Sequence, residues 1–146
     1  MTRARMTAAV AVLAGMSVVV MAQKISTPED LDKAMKANGQ ANQAMRKAIG
    51  SGAFADARAQ LKVIRQTAEN VEAFMAMRKQ DEGVKFAKNT QAKVDGLDKV
   101  LAAAEVDQAA MATAIKELGG TCQACHMEYR TQDANGQYIL RPGKMN

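Results

Sequence analysis

Between Pro28 and Pro142 the sequence contains no proline, and over most of that interval its apolar residues recur at alternating spacings of three and four. A long stretch free of the strongest helix breaker, with the period of a helix rather than the alternation of a half-buried strand, predicts an all-α chain. Composition points the same way. Only 3% of the residues are aromatic and Trp is absent, whereas sandwiches and barrels draw heavily on aromatic and β-branched side chains. With 146 residues, 48% of them hydrophobic, the chain can build one domain with a real core and has little left for a second.

Four helical segments follow. Thr27-Pro28-Glu29-Asp30 is a start signal, with Thr27 as N-cap, Pro28 at the first helical position and acids in the first turn. Leu31, Met35, Asn38, Asn42, Met45 and Ile49 then share one face of the first helix, which Gly50-Ser51-Gly52 ends. The second helix carries Phe54, Ala57, Leu61, Ile64, Ala68, Val71 and Met75, and loses its pattern in the polar stretch from Arg78 to Glu82. The third carries Val84, Ala87, Gln91, Val94, Leu97, Leu101 and Ala104 and ends before Asp107, where the fourth begins with Met111, Ile115, Leu118, Cys122, Cys125 and Tyr129 on its stripe. Four stripes joined by short loops predict an antiparallel up-and-down four-helix bundle. Residues 133–146 lack the period: Asn135-Gly136 and Pro142-Gly143 are turn dipeptides around the short apolar run Tyr138-Ile139-Leu140. This non-helical C-terminal tail either trails free or folds Tyr138 or Leu140 back over an apolar edge of the bundle.

The chain begins with Arg3 and Arg5, an apolar run from Thr7 to Val20, and a small-residue cleavage pattern with Val20 at −3 and Ala22 at −1. The run is shorter than the ~20 residues that span a bilayer comfortably. Residues 1–22 are therefore read as a cleaved signal peptide rather than an anchor, leaving no stable membrane insertion and a domain over residues 23–132. The net charge of +5 includes Arg3 and Arg5. The remaining cations alternate with acids along the helices, and no basic block or aromatic platform of the nucleic-acid kind is found. Export leads to an oxidising compartment.

The chemistry is concentrated in Cys122-Gln123-Ala124-Cys125-His126, which holds both cysteines and the single histidine of the chain. On a helix, positions i and i+3 share a face, so both sulfurs can reach the two vinyl groups of one porphyrin. The adjacent imidazole can then reach the iron, and this spacing is the signature of covalent c-type haem attachment. Three rivals are weaker. Zinc needs about four ligands, and beyond Cys122, Cys125 and His126 the chain has no further Cys or His. A low-pKa dithiol belongs at a helix N-terminus after a strand, not late in a helix. A disulfide between i and i+3 of a helix has poor geometry and closes a tiny loop.

A Cys-x-x-Cys-His on the last helix of a four-helix bundle, continuing as Met127-Glu128-Tyr129-Arg130, resembles the class II cytochromes c, the family of cytochrome c′. Phe54-Ala55-Asp56 is similar to the aromatic-and-acid start of that family's second helix, and the likeness extends from about Pro28 to Arg130. The resemblance implies a periplasmic protein with one covalent haem c and His126 as proximal iron ligand, often as a homodimer. Within the family, low-spin members place a methionine of the first helix on the iron, and five-coordinate members leave the distal side apolar. Matching the first helix puts Met35 at the distal position. Met45, ten residues on and about 15 Å along the axis, cannot reach the same iron. Met75, Met77 and Met111 are read as packing residues. Arg130 falls where the family keeps a cation near the proximal imidazole. Leu31 stands where many members have an arginine near a haem propionate, with Lys33 and Lys36 as neighbouring substitutes. Asn38 and Asn42 either approach the polar edge of the haem or bond within an interhelical groove.

Two functions remain open at this point. One is an electron carrier with a His126/Met35-ligated haem that exchanges single electrons with a redox protein partner. The other is a five-coordinate protein binding nitric oxide or carbon monoxide at an open distal site. The sequence has no Ser/His/Asp set and no distal histidine or arginine of peroxidase type, so an enzyme is not expected.

Overall fold

The computed structural model describes residues 24–144. The signal peptide read at residues 1–22 lies outside the described residues. Four helices, α1 (Pro28–Gly50), α2 (Phe54–Met77), α3 (Asp81–Leu101) and α4 (Gln108–Tyr129), are followed by two short strands, β1 (Arg130–Gln132) and β2 (Tyr138–Leu140).

The starts of α1 and α4 are capped by side chains. The Thr27 hydroxyl accepts from the Asp30 N–H at 3.1 Å, while the Asp30 carboxylate accepts from the backbone N–H groups of Ser26 and Thr27, each at 3.1 Å. This reciprocal box satisfies donors that the first turn leaves without partners. The two backbone donors also hold the Asp30 carboxyl below its ordinary range. At α4, the Asp107 carboxylate accepts from the N–H of Ala109 and Ala110 at 2.8 and 3.1 Å. Between α2 and α3 the turn is tighter than the polar stretch suggests. Lys79 takes a φ of 56°, the left-handed conformation usual for glycine, and the Gln80 N–H returns to the Met75 carbonyl at 2.9 Å.

Contacts between helices fix the topology. Arg58 makes a two-pronged pair with Asp98, Arg65 meets Asp95 and Gln91, and Gln91 donates to Glu72. Positions rise along α2 as they fall along α3, so the two helices are antiparallel. The same holds for α3 and α4, where Lys93 meets Glu117 and Thr90 meets Thr121. Packing runs α1 on α2, α2 on α3 and α3 on α4, which makes the chain an all-α four-helix bundle.

The core has two clusters. One is built around Met45, Leu61, Ile64, Leu97 and Leu118. The other holds Ile25, Leu31, Val71, Phe74, Met75, Ala87 and Tyr129, with Met35, Cys125 and Leu140 packed against it. Gly83 allows α2 and α3 to approach closely in this second cluster: a Cβ there would lie 2.7 Å from the Met75 sulfur. Three details differ from the sequence reading. Ala104 lies beyond the end of α3 and is exposed. Met77 is not a packing residue but 54% exposed, because it falls on the solvent side of the last turn of α2. Phe74, off the expected stripe, is fully buried.

The tail is a hairpin folded back on the bundle. Arg130 pairs with Leu140, Thr131 with Ile139 and Gln132 with Tyr138 in antiparallel register. The Asp133 carboxylate accepts from the N–H of Asn135 and Gln137, and Gly136 supplies a φ of 74° at the turn. Leu140 is the residue that covers the apolar edge.

Candidate haem site

The last two turns of α4 present Cys122, Cys125, His126 and Arg130 along one side of an uninterrupted helix and its C-cap. Both cysteines are half-buried free thiols. Burial pushes the Cys125 thiol up to about 11, with Cys122 adding to the rise. Burial also raises the Cys122 thiol, opposed by a bond to Thr121 and by the nearby charge of Arg46. Both are therefore protonated at neutral pH. The pair is not an activated dithiol, since it sits at the end of α4, far from the dipole that lowers a thiol pKa.

His126 is half-buried, and burial first, then the charge of Arg130, hold its pKa below the ordinary value. The imidazole is neutral at pH 7. Its Nδ1 lies 3.3 Å from Nη1 of Arg130, which leaves Nε2 as the ring nitrogen clear for a metal. The Arg130 guanidinium also sits 3.3 Å from the ring centroid of Tyr138. An open groove of about 450 Å³ runs along these residues, lined by Gly119, Cys122, Gln123, His126, Met127, Arg130 and Tyr138. That size is in the range of cofactor sites.

None of the residues lining this groove belongs to α1. Met35 is half-buried and packs on the cluster that Cys125 also touches. Met45 is fully buried in the other cluster, beside Leu61 and Leu118. Asn38, one turn after Met35, has a buried Oδ1 without a hydrogen-bond partner among the described residues. Such an orphan is costly unless something else meets it. Leu31 is core, Lys33 is exposed and Lys36 is paired with Asp32 at 2.7 Å on the surface. Arg46, which the sequence reading did not single out, reaches across to α4. Its Nη2 lies 3.7 Å from where a Gly119 side chain would begin. The signal for it was weak: a Gly119-Gly120 pair inside a helix, facing a long cation one residue off the α1 stripe.

A family model for cytochrome c′ matches residues 72–130, which take in the end of α2, all of α3 and α4, and the whole Cys-x-x-Cys-His motif. The match supports a class II cytochrome c, cytochrome c′-like family for the chain. No curated protein and no solved structure matches it in parallel comparisons. The same match supports a haem-binding c-type cytochrome. The residues present fit that group. The chain offers two neutral thiols on one helical face, an imidazole with a free Nε2, and a groove along them whose lining includes the side-chain-free Gly119. Among the described residues no helix is long and apolar enough to cross a membrane.

The attachment itself can be checked chemically. With Cys125→Ser only one thioether remains, so acid acetone is expected to extract a measurable part of the haem from the variant and none from the parent. Full retention in the variant would mean that Cys125 forms no thioether.

Proposed function

We propose that this cytochrome carries single electrons on one covalently held haem c, with Cys122 and Cys125 as thioether donors, His126 Nε2 as proximal ligand and Met35 as distal ligand. The bound haem supplies the one-electron iron couple. Everything else is the work of the chain. Cys122 and Cys125, on one face of α4, would hold the ring through thioethers. His126 is already neutral, so no proton has to leave before it donates to a metal. Arg130 keeps a positive charge near the proximal ring, which favours the less positive, reduced state and raises the potential.

The observation that carries the reading is the separation of the two α1 methionines. Met35 packs on the cluster shared with Cys125, whereas Met45 is enclosed in the other one. A neutral thioether from Met35 together with the His126 imidazole would supply the His/Met pair of electron carriers. The carrier works after export, in the periplasm, with a redox protein as partner, and as a carrier rather than an enzyme. The homodimer implied by the family belongs to the same reading.

An absorption spectrum of the holoprotein, produced with a haem-attachment system, tests it. Low-spin spectra in both oxidation states with a ferric sulfur-to-iron charge-transfer band are the expected result. High-spin spectra with rapid carbon monoxide uptake would replace it with the gas-binding function. A chain without haem would end both.

A further inference from the structure

The C-terminal hairpin contributes nothing to the ligand set just described, yet it is firmly docked on the end of α4. The Arg141 N–H donates to the Tyr129 carbonyl at 2.8 Å, and its guanidinium donates to the carbonyls of Met127 at 2.8 Å, Glu128 at 3.1 Å and Arg130 at 3.4 Å. These are groups that a helix C-terminus leaves without partners. Lys144 pairs with Glu128, and Leu140 packs on the cluster around Tyr129.

Docking brings Tyr138 over Arg130. Tyr138 is 59% exposed, so its ring is not there for its own burial. What it meets is the guanidinium, at 3.3 Å from the ring centroid. Arg130 has no carboxylate partner within ion-pair distance among the described residues. Glu128 is occupied by Lys144, and Asp133 by the backbone of its own turn. A long, flexible side chain at a helix end would otherwise be free to swing into water.

The requirement sharpens when a metal is bound. With Nε2 given to iron, the ring proton stays on Nδ1, so the guanidinium then faces a donor and gains no hydrogen bond from the imidazole. Its place beside His126 depends on the other ring it touches. A cation there also stands where a proximal histidine often finds a carbonyl or carboxylate acceptor, which makes the imidazole a weaker donor and favours reduced iron.

We propose that Tyr138 is a positioning residue. Its ring holds the Arg130 guanidinium against the proximal imidazole, and the C-terminal hairpin thereby sets the charge felt at the iron. This rests on His126 being the iron ligand.

The test is a cycle of holoprotein variants, Tyr138→Leu, Tyr138→Phe, Arg130→Gln and the Arg130→Gln/Tyr138→Leu double, each equilibrated against a redox dye. Cation–ring contacts at exposed sites change a conformational equilibrium by about two- to fivefold. Tyr138→Leu is expected to lower the reduced-to-oxidised ratio by up to that factor, in the same direction as Arg130→Gln. Tyr138→Phe, which keeps the ring, should behave as the parent. In the Arg130→Gln background, Tyr138→Leu should have no further effect. An unchanged potential in Tyr138→Leu, or an equal shift with Arg130 already removed, would overturn the proposal. A second readout separates it from the haem reading. In the haem-free chain the Arg130 side-chain protons should resonate upfield under the Tyr138 ring and lose that shift in Tyr138→Leu. Ordinary positions in the parent overturn the positioning role. An upfield shift in a chain that never takes up haem overturns the haem reading instead.

Discussion

Met35→Ala is expected to turn the haem high-spin, abolish the ferric sulfur-to-iron band and open the distal side to carbon monoxide. The sulfur has no substitute nearby. Ala34 and Leu31 have no donor atom, and Asn38 carries only a neutral amide, a poor partner for iron. Loss of the thioether should also lower the potential, since a His/Met pair favours the reduced state. The fold should survive, because Met35 is only half-buried and leaves no enclosed cavity. Met45→Ala should give the opposite pattern. That side chain is fully enclosed by the first core cluster, so its truncation costs about 2–5 kcal/mol of stability while the spectrum stays that of the parent. Spectra of the two variants in both oxidation states, beside their thermal unfolding, decide the matter. A spectrum unchanged in Met35→Ala would remove Met35 from the iron, and with it the observation on which the carrier function rests.

How far such roles can be read from residues alone depends on what the periodicity encodes. The helices were legible because each cause is local. The Thr27-Asp30 box and the Asp107 cap each act within a few residues. The stripes identified which side of each helix turns inward, and the motif identified Cys122, Cys125 and His126 as one cluster. What a single stripe does not encode is the number of neighbours. α2 packs on both α1 and α3, so its buried arc is wider than one stripe, and Phe74 is buried beside Val71 and Met75. The contact of Arg46 with α4 was invisible for a related reason, since reach across a groove leaves no mark in spacing. In the tail, three-residue strands have almost no signal of their own. They form because Arg141 and Leu140 have a helix end and an apolar edge to dock on. Arg130 was placed near His126 by resemblance, and the ring of Tyr138 on its other contact is a tertiary fact.

Phe74→Ala should be the most destabilising single truncation at the haem end of the bundle. The ring is fully buried in the cluster where all four helices meet, through Leu31 of α1, Val71 and Met75 of α2, Ala87 of α3 and Tyr129 of α4. Truncating a buried Phe costs about 3–5 kcal/mol, the transfer term plus the cavity left behind. Against a total stability of about 5–15 kcal/mol that is a large fraction, and for a domain of this size it corresponds to a fall of about 10–20 °C in Tm. The cluster has little means to close the gap. Met75, its most adaptable member, is already held against Gly83, and the Phe86 and Tyr129 rings are set edge to face at 6.4 Å. Phe74→Leu should recover most of the loss, to within about 1.5 kcal/mol of the parent. Met77→Ala, three residues on but exposed, should stay within about 0.5 kcal/mol. Thermal unfolding of the three holoproteins, followed by helical circular dichroism, makes the comparison. Because Met35 and Cys125 pack on this same cluster, the gap should also loosen the approach of α1 to α4. Phe74→Ala should therefore show a partly high-spin spectrum well below its Tm, and Met77→Ala should not. A wild-type spectrum in a destabilised Phe74→Ala would show instead that the distal ligand is held by α1 independently of the cluster beneath it.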